Sequence, residues 1–234
     1  MREHLVLLMA SLRERGWTGT IAAVLAKSKD FFFDLKYGTD TRGWAHLEGM
    51  DFSSSNKARA THYQPTSVAM SQYAFNVIRP GIESVFIDLG CGKGRVLFLA
   101  YFRGFKRVVG VEFSPQLCRI AKKNIEILEQ KLGRKVDIEI RELDVTDYPW
   151  RDDETVIFLF NPFDSVVLNK VLDAIQSSLE RRPRQAWIIY VNPLHRALLE
   201  AAGCFKLMCE TEVWGDHLAI FVFEGKVRLP RCNS

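Results

Sequence analysis

Between Phe86 and Ala100 the chain reads FIDLGCGKGRVLFLA. The first half is apolar and strand-like, the second half has helical spacing, and Gly90, Gly92 and Gly94 alternate at the join. Glycine admits backbone angles closed to other residues and lets a ligand approach the main chain closely. A turn of this kind, between the first strand and first helix of an α/β unit, is where a nucleotide-bearing ligand sits. Polar groups recur at equivalent places downstream. Asp88 stands two residues before Gly90, Glu112 closes the next apolar run 18 residues after Gly94, and Asp144 closes the run after that. The fourth run ends in Asn161-Pro162-Phe163. The Asn161 side-chain oxygen and the Pro162 carbonyl are acceptors suited to an amine, and an aromatic face suits a planar amine or a cation. Taken singly, each acid reads equally well as a solvated carboxylate at a strand end, and Asn-Pro as an ordinary turn.

The elements that must position these groups are legible as alternation. Short apolar, β-branched runs occur at 84–89, 107–113, 136–143, 155–160 and 185–191. Segments with helical spacing separate several of them, at about 94–103, 115–132 and 166–179, with a shorter one at 194–202. In 166–179, Val167, Val171, Leu172, Ile175 and Leu179 fall on one face. Two further runs, 205–214 and 217–224, are joined by Gly215-Asp216 and read as an antiparallel hairpin. Residues 1–80 differ: they hold helical pieces, the run DFFFDLKYGTDT, and a polar stretch ending at Tyr63-Gln64-Pro65 before a helix to about Ile78. The fold class expected is α/β, a Rossmann-like doubly wound and mostly parallel seven-stranded sheet. It carries a C-terminal antiparallel hairpin and an N-terminal helical extension.

The dinucleotide fingerprint G-x-G-x-x-G calls for a third glycine where the helix packs on the strand, and that position here is Arg95. The pattern present, D-x-G-x-G-x-G, resembles motif I of class I S-adenosylmethionine-dependent methyltransferases. VVGVEFS, ELDVTDY and FLFNPFD follow in matching order, the last resembling that family's N/D-P-P-Y/F motif with one proline instead of two and Asp164 after it. The resemblance runs from about Val85 to Phe163 and implies S-adenosyl-L-methionine as cofactor. It implies that Asp88 and the amides of Gly90 and Gly92 hold the methionyl ammonium and carboxylate, with Cys91 and Gly94 in the same loop. Glu112 would take both ribose hydroxyls, Asp144 the adenine amino group, and the Val145 amide a ring nitrogen. Asn161, Pro162 and Phe163 would align an amine for attack, with Asn161 also close to the cofactor. A segment like Tyr63–Thr66 precedes the glycine loop in little-characterised bacterial members and in the non-SET protein-lysine methyltransferases, so Tyr63 would fold over the cofactor. The chain then divides into a lid-like extension, 1–80, and a methyltransferase domain, 81–234.

Composition sets the remaining bounds. Thirty-two basic and 28 acidic residues leave a net charge of +4 without a clustered basic stripe, which favours a protein lysine or small molecule over nucleic acid as methyl acceptor. Five cysteines without a CxxC pair or zinc-like spacing suggest free thiols, no metal, and a cytoplasmic setting. The apolar run near the start is interrupted by charge and too short to span a bilayer. Two other readings stay open: a nicotinamide-dependent oxidoreductase, whose ribose Glu112 would also suit, and a non-catalytic adenosylmethionine-binding protein. His195, after a second Asn-Pro at 192–193, is either a base for an oxygen nucleophile or an ordinary first-turn residue.

Overall fold

The computed structural model describes residues 16–17, 20–21, 28–42, 65–160, 163–213 and 216–225. A helix, α1, covers 28–37. It is followed by α2 (Val68–Ile78), β1 (Val85–Leu89), α3 (Arg95–Arg103), β2 (Arg107–Glu112) and α4 (Pro115–Leu132). Then come β3 (Ile138–Glu142), β4 (Glu154–Phe160), α5 (Ser165–Arg181), β5 (Gln185–Val191), α6 (Arg196–Ala201), β6 (Lys206–Val213) and β7 (Asp216–Glu224).

The seven strands form one sheet in the order β3-β2-β1-β4-β5-β7-β6, parallel except that β7 runs antiparallel to both β5 and β6. The expected hairpin is present, but its second strand inserts between β5 and β6. The physical reason is hydrophobicity. Leu218–Phe221 of β7 are buried, whereas Leu207 and Met208 of β6 remain exposed, so the more apolar strand takes the interior and the mixed one the edge. Asp216, expected in the turn, is already paired with Val213; Trp214 and Gly215 lie outside the described residues. An antiparallel strand beside β5 also departs from the 3-2-1-4-5-6 order of the doubly wound dinucleotide fold.

Local signals set the helix ends. Ser114 caps α4, accepting from the Leu117 amide at 3.4 Å, and Pro115 supplies the preset φ of a first helical residue. Asp164 caps α5, accepting from the Val166 and Val167 amides at 3.0 Å each. The residue that departs from the family motif after Phe163 therefore has a local job.

Alternate residues along the strands feed two cores. Phe86, Val108, Phe158 and Ile189 join a cluster with Phe33, Phe75, Phe98 and Phe105 on the α1–α4 face. Ile87, Val109, Ile157 and Ile188 join the other with Val167, Val171, Leu172 and Ile175 of α5. Phe75 stands edge-on to Phe86, with ring centroids 5.5 Å apart. Of the three phenylalanines at 31–33, Phe33 is core, while Phe31 and Phe32 face outward. No helix among the described residues is long and apolar enough to cross a membrane.

Gly110 is where β2 meets the glycine turn most closely. A Cβ there would lie 2.6 Å from Leu97 Cδ1 and 2.7 Å from Cys91 Sγ. Gly110→Ala should therefore destabilise the protein by about 1–3 kcal/mol through overpacking. Removing the sulfur with Cys91→Ala should recover part of the loss. Urea midpoints of the two single variants and the double variant check this, and strictly additive losses would count against the contact.

Candidate cofactor site

β1 and β2 lie side by side in parallel, with Leu89 level with Val111. The glycine turn leaves β1 and immediately bonds back to β2. The amides of Gly90 and Cys91 both donate to the Val111 carbonyl, at 2.8 and 3.0 Å, and the Gly92 amide donates to Glu112 Oε2 at 2.9 Å. Gly90, Gly92 and Gly94 all take positive φ, at 89°, 54° and 89°, which a side chain would oppose. The Gly90 and Gly92 amides, expected to meet the methionyl carboxylate, are bonded here to the end of β2 and shape the turn.

Glu112 is 4% exposed. Its Oε1 accepts the Ser114 amide at 2.9 Å, so the acid joins the glycine turn to the N-terminus of α4. Burial pushes its carboxyl above the usual range, opposed by the Ser114, Gly92 and Phe113 amides. A carboxylate offers about four acceptor positions, so capacity for a hydroxyl donor remains. Asp88 is 3% exposed, and its carboxyl has no hydrogen bond among the described residues. Its carboxyl is pushed well above the usual range, first by burial and then by the nearby Glu112 charge. Among the described residues no cation offsets either effect.

Asp144, expected to end the third strand, lies two residues beyond β3, and one oxygen is committed locally. Its Oδ1 accepts the Thr146 amide at 2.9 Å and the Thr146 hydroxyl at 2.7 Å, capping a 3-10 turn at Val145–Asp147. Asp144 and Val145 are half-buried. The Cys91 thiol packs against Gly110, and burial, then Glu112, pushes it well up, which makes it a packing group and not a nucleophile.

Tyr63, Asn161 and Pro162 lie outside the described residues. Phe163 is 8% exposed and packs in the core on the α5 face, so the ring expected to meet an amine is mostly covered by protein. β4 and β5 end level, Phe160 opposite Val191. Asn192, just beyond, has a φ of 48° and spends its side chain on β7, accepting from the His217 amide at 3.0 Å and donating to Asp216 at 3.2 Å. His195 is the half-buried N-cap residue of α6, without a side-chain cap bond.

Sequence reasoning missed the environment of Arg95. It is 3% exposed and bonds to residues 41 and 66. A buried guanidinium does not survive unpaired, so an arginine inside an apolar helix face was itself a signal of partners elsewhere.

Residues 53–222 match the family described as Conserved hypothetical protein 95. The chain belongs to this family. Its fold is the one seen in solved structures named as methyltransferases. A ribosomal protein L11 methyltransferase of Thermosipho africanus is 28% identical over 127 residues, covering 54% of this chain and 42% of that one. The chain spans less than half the length of the curated relatives it matches. An RNA methyltransferase of Salinibacter ruber, crystallised with S-adenosyl-L-homocysteine, superposes with a TM-score of 0.52 at 20% identity, covering 71% of this chain and 97% of that one. YhhF of Escherichia coli, named a putative methyltransferase, gives 0.55 at 16% identity, covering 70% and 88%.

The raised Asp88 carboxyl has a consequence for stability. The unfolded chain releases this proton near pH ~4, while the folded chain holds it to higher pH. Above that point the folded state binds more protons than the unfolded state, so stability falls as pH rises until the folded carboxyl itself ionises. Glu112 adds a slope of the same sign. Asp88→Asn should flatten the decline of the urea midpoint as pH rises above ~4. An unchanged slope would place the proton elsewhere.

Proposed function

We propose that this chain is an S-adenosyl-L-methionine-dependent methyltransferase acting on an amine nitrogen of a protein side chain or a small molecule. The observation that carries the reading is the buried Asp88 beside Glu112 at the glycine turn, with no cation near it among the described residues. A ligand bearing an ammonium group and vicinal hydroxyls answers both needs: the cation relieves Asp88, and the hydroxyls donate to Glu112. Asp144 and Val145, beyond β3, are assigned to the adenine. The methionyl carboxylate is not assigned to the Gly90 and Gly92 amides, which are bonded to β2.

When bound, the cofactor supplies an electrophilic methyl on a sulfonium, and the chain contributes alignment of the incoming nitrogen. Asn161 and the Pro162 carbonyl are assigned to that alignment, as acceptors that aim the amine lone pair. Phe163, in the core on the α5 face, enters as packing. Relatives named for ribosomal protein L11 and for RNA support a macromolecular acceptor. RNA nitrogens therefore belong among the acceptors to test, despite the scattered basic charge.

Calorimetry with S-adenosylmethionine, S-adenosylhomocysteine and NAD on the wild-type chain and Glu112→Ala tests the pocket. The first two should bind and NAD should not. Loss of the Glu112 hydrogen bonds, at about 1.5–3 kcal/mol for bonds to a charged group, should weaken binding roughly 10- to 100-fold. NAD binding alone would return the chain to the oxidoreductase reading. Transfer of labelled methyl to amines, ribosomal protein or RNA then sorts the acceptor. Asn161→Ala should lower turnover with cofactor affinity kept, whereas a non-catalytic binding protein would show no turnover in any form.

A further inference from the structure

The glycine turn is held from a second side. Residues 39–42 follow α1 and lie against Lys93 and Arg95, the two residues that flank Gly94. Lys93 Nζ donates to the Asp40 carboxylate at 3.1 and 3.2 Å and to the Arg42 carbonyl at 2.7 Å. Asn124 of α4 accepts from the Asp40 amide at 2.9 Å and donates to the carbonyls of Asp40 and Lys93 at 2.9 and 3.1 Å. Arg95 Nε donates to Thr41 Oγ1 at 2.8 Å, and the same hydroxyl donates to Asp34 Oδ1 at 2.7 Å. The Arg95 guanidinium also donates to the Thr66 carbonyl at 3.2 Å and pairs with Asp30 at 3.4 Å, while Asp30 accepts the Val68 amide at 2.7 Å.

One buried side chain at the first residue of α3 thus ties together α1, the segment after it, and the start of α2. We infer that residues 28–42 are a working part of the cofactor pocket, with Arg95 and Thr41 as positioning residues that set the glycine turn. This inference rests on the proposed adenosylmethionine site and goes beyond it by bringing in a segment outside the glycine-loop, ribose and adenine positions.

The geometry distinguishes this from simple packing. Arg95 and Asp34 approach only to 3.9 Å directly, so the Thr41 hydroxyl is the group that joins them. Lys93 and Arg95 sit on either side of a residue with a φ of 89°, so a change in their anchorage reaches the main chain at Gly94. β2 holds Gly90 to Gly92 from the other side. Two grips on one short turn couple segment docking to ligand binding, and the coupling is reciprocal.

Thr41→Val removes the bridging hydroxyl while keeping the shape, Thr41→Ser restores it, and Arg95→Met removes the charge. Each variant is first checked for folding by circular dichroism, and adenosylhomocysteine is the probe. In folded variants, Thr41→Val and Arg95→Met should weaken binding roughly tenfold or more, within the usual range of coupling between sites. Thr41→Ser should stay close to wild type. In the wild-type chain, adenosylhomocysteine should slow amide exchange across residues 39–42. If Arg95→Met does not fold, Thr41→Val with its serine rescue carries the test. Wild-type binding with Thr41→Val unchanged overturns the positioning role alone. Failure of the wild-type chain to bind adenosylhomocysteine overturns the pocket reading and this inference with it.

Discussion

The Val111 carbonyl accepts the amides of Gly90 and Cys91, and the Glu112 carboxylate accepts that of Gly92. These bonds make the end of β2 the template for the glycine turn, and the other features of the pocket follow from it. Because the turn lies so close to β2, position 110 has no room for a Cβ and the Cys91 sulfur fills the space. Because Glu112 is spent partly on Gly92 and Ser114, it cannot swing away, and it presents a fixed acceptor edge. Because the Gly90, Cys91 and Gly92 amides are used within the protein, the proposed recognition relies on side-chain carboxylates, a different balance from a phosphate-cradling loop.

That balance has an electrostatic cost, and comparison within the molecule shows it. Glu154, at the opposite end of the sheet, is fully buried, and its Oε1 lies among several partners while Oε2 has no hydrogen bond among the described residues. The Tyr148 hydroxyl donates to Oε1 at 2.9 Å, the Arg151 amide at 3.2 Å, and Arg107 stands 3.5 Å away. Asp88 is buried to a similar degree, and its carboxyl has neither cation nor hydrogen bond among the described residues. A structural acid is given partners because an unpaired buried charge is strongly unfavourable. An acid left without them favours its protonated form and stores an affinity for any cation that can reach it. The surface pairs, such as Lys123 with Glu126, matter far less, since exposed ion pairs contribute about 0–1 kcal/mol.

Much of this was legible because it depends on local pattern. The strand ends carrying Asp88, Glu112 and Asp144 follow from apolar runs and their punctuation, and the two-residue alternation that splits the cores is a property of any strand. What escaped depends on distance along the chain. Arg95 was read as a mismatch to a fingerprint, because its partners at 30, 34, 41 and 66 are brought to it by tertiary packing. The commitment of the Gly90 and Gly92 amides needed the β1–β2 register. Asp164 was different, since an acid directly before a helical run is a capping signal in its own right. The insertion of β7 ahead of β6 could also have been weighed from the greater apolarity of residues 218–223.

The two Asn-Pro dipeptides illustrate how similar sequence can serve different ends. Asn192 lies beyond Val191 in a left-handed conformation that asparagine tolerates better than most residues. Its side chain completes the junction where the antiparallel β7 meets the parallel part of the sheet. That junction needs a donor and an acceptor on one short side chain, which asparagine supplies. Asn192 is thereby committed to that junction, and Phe163 packs in the core on the α5 face. The proposed alignment of a nitrogen nucleophile then rests on Asn161 and the Pro162 carbonyl. The proposed cofactor contacts, by contrast, all lie at the ends of the central strands, where the parallel register itself places them.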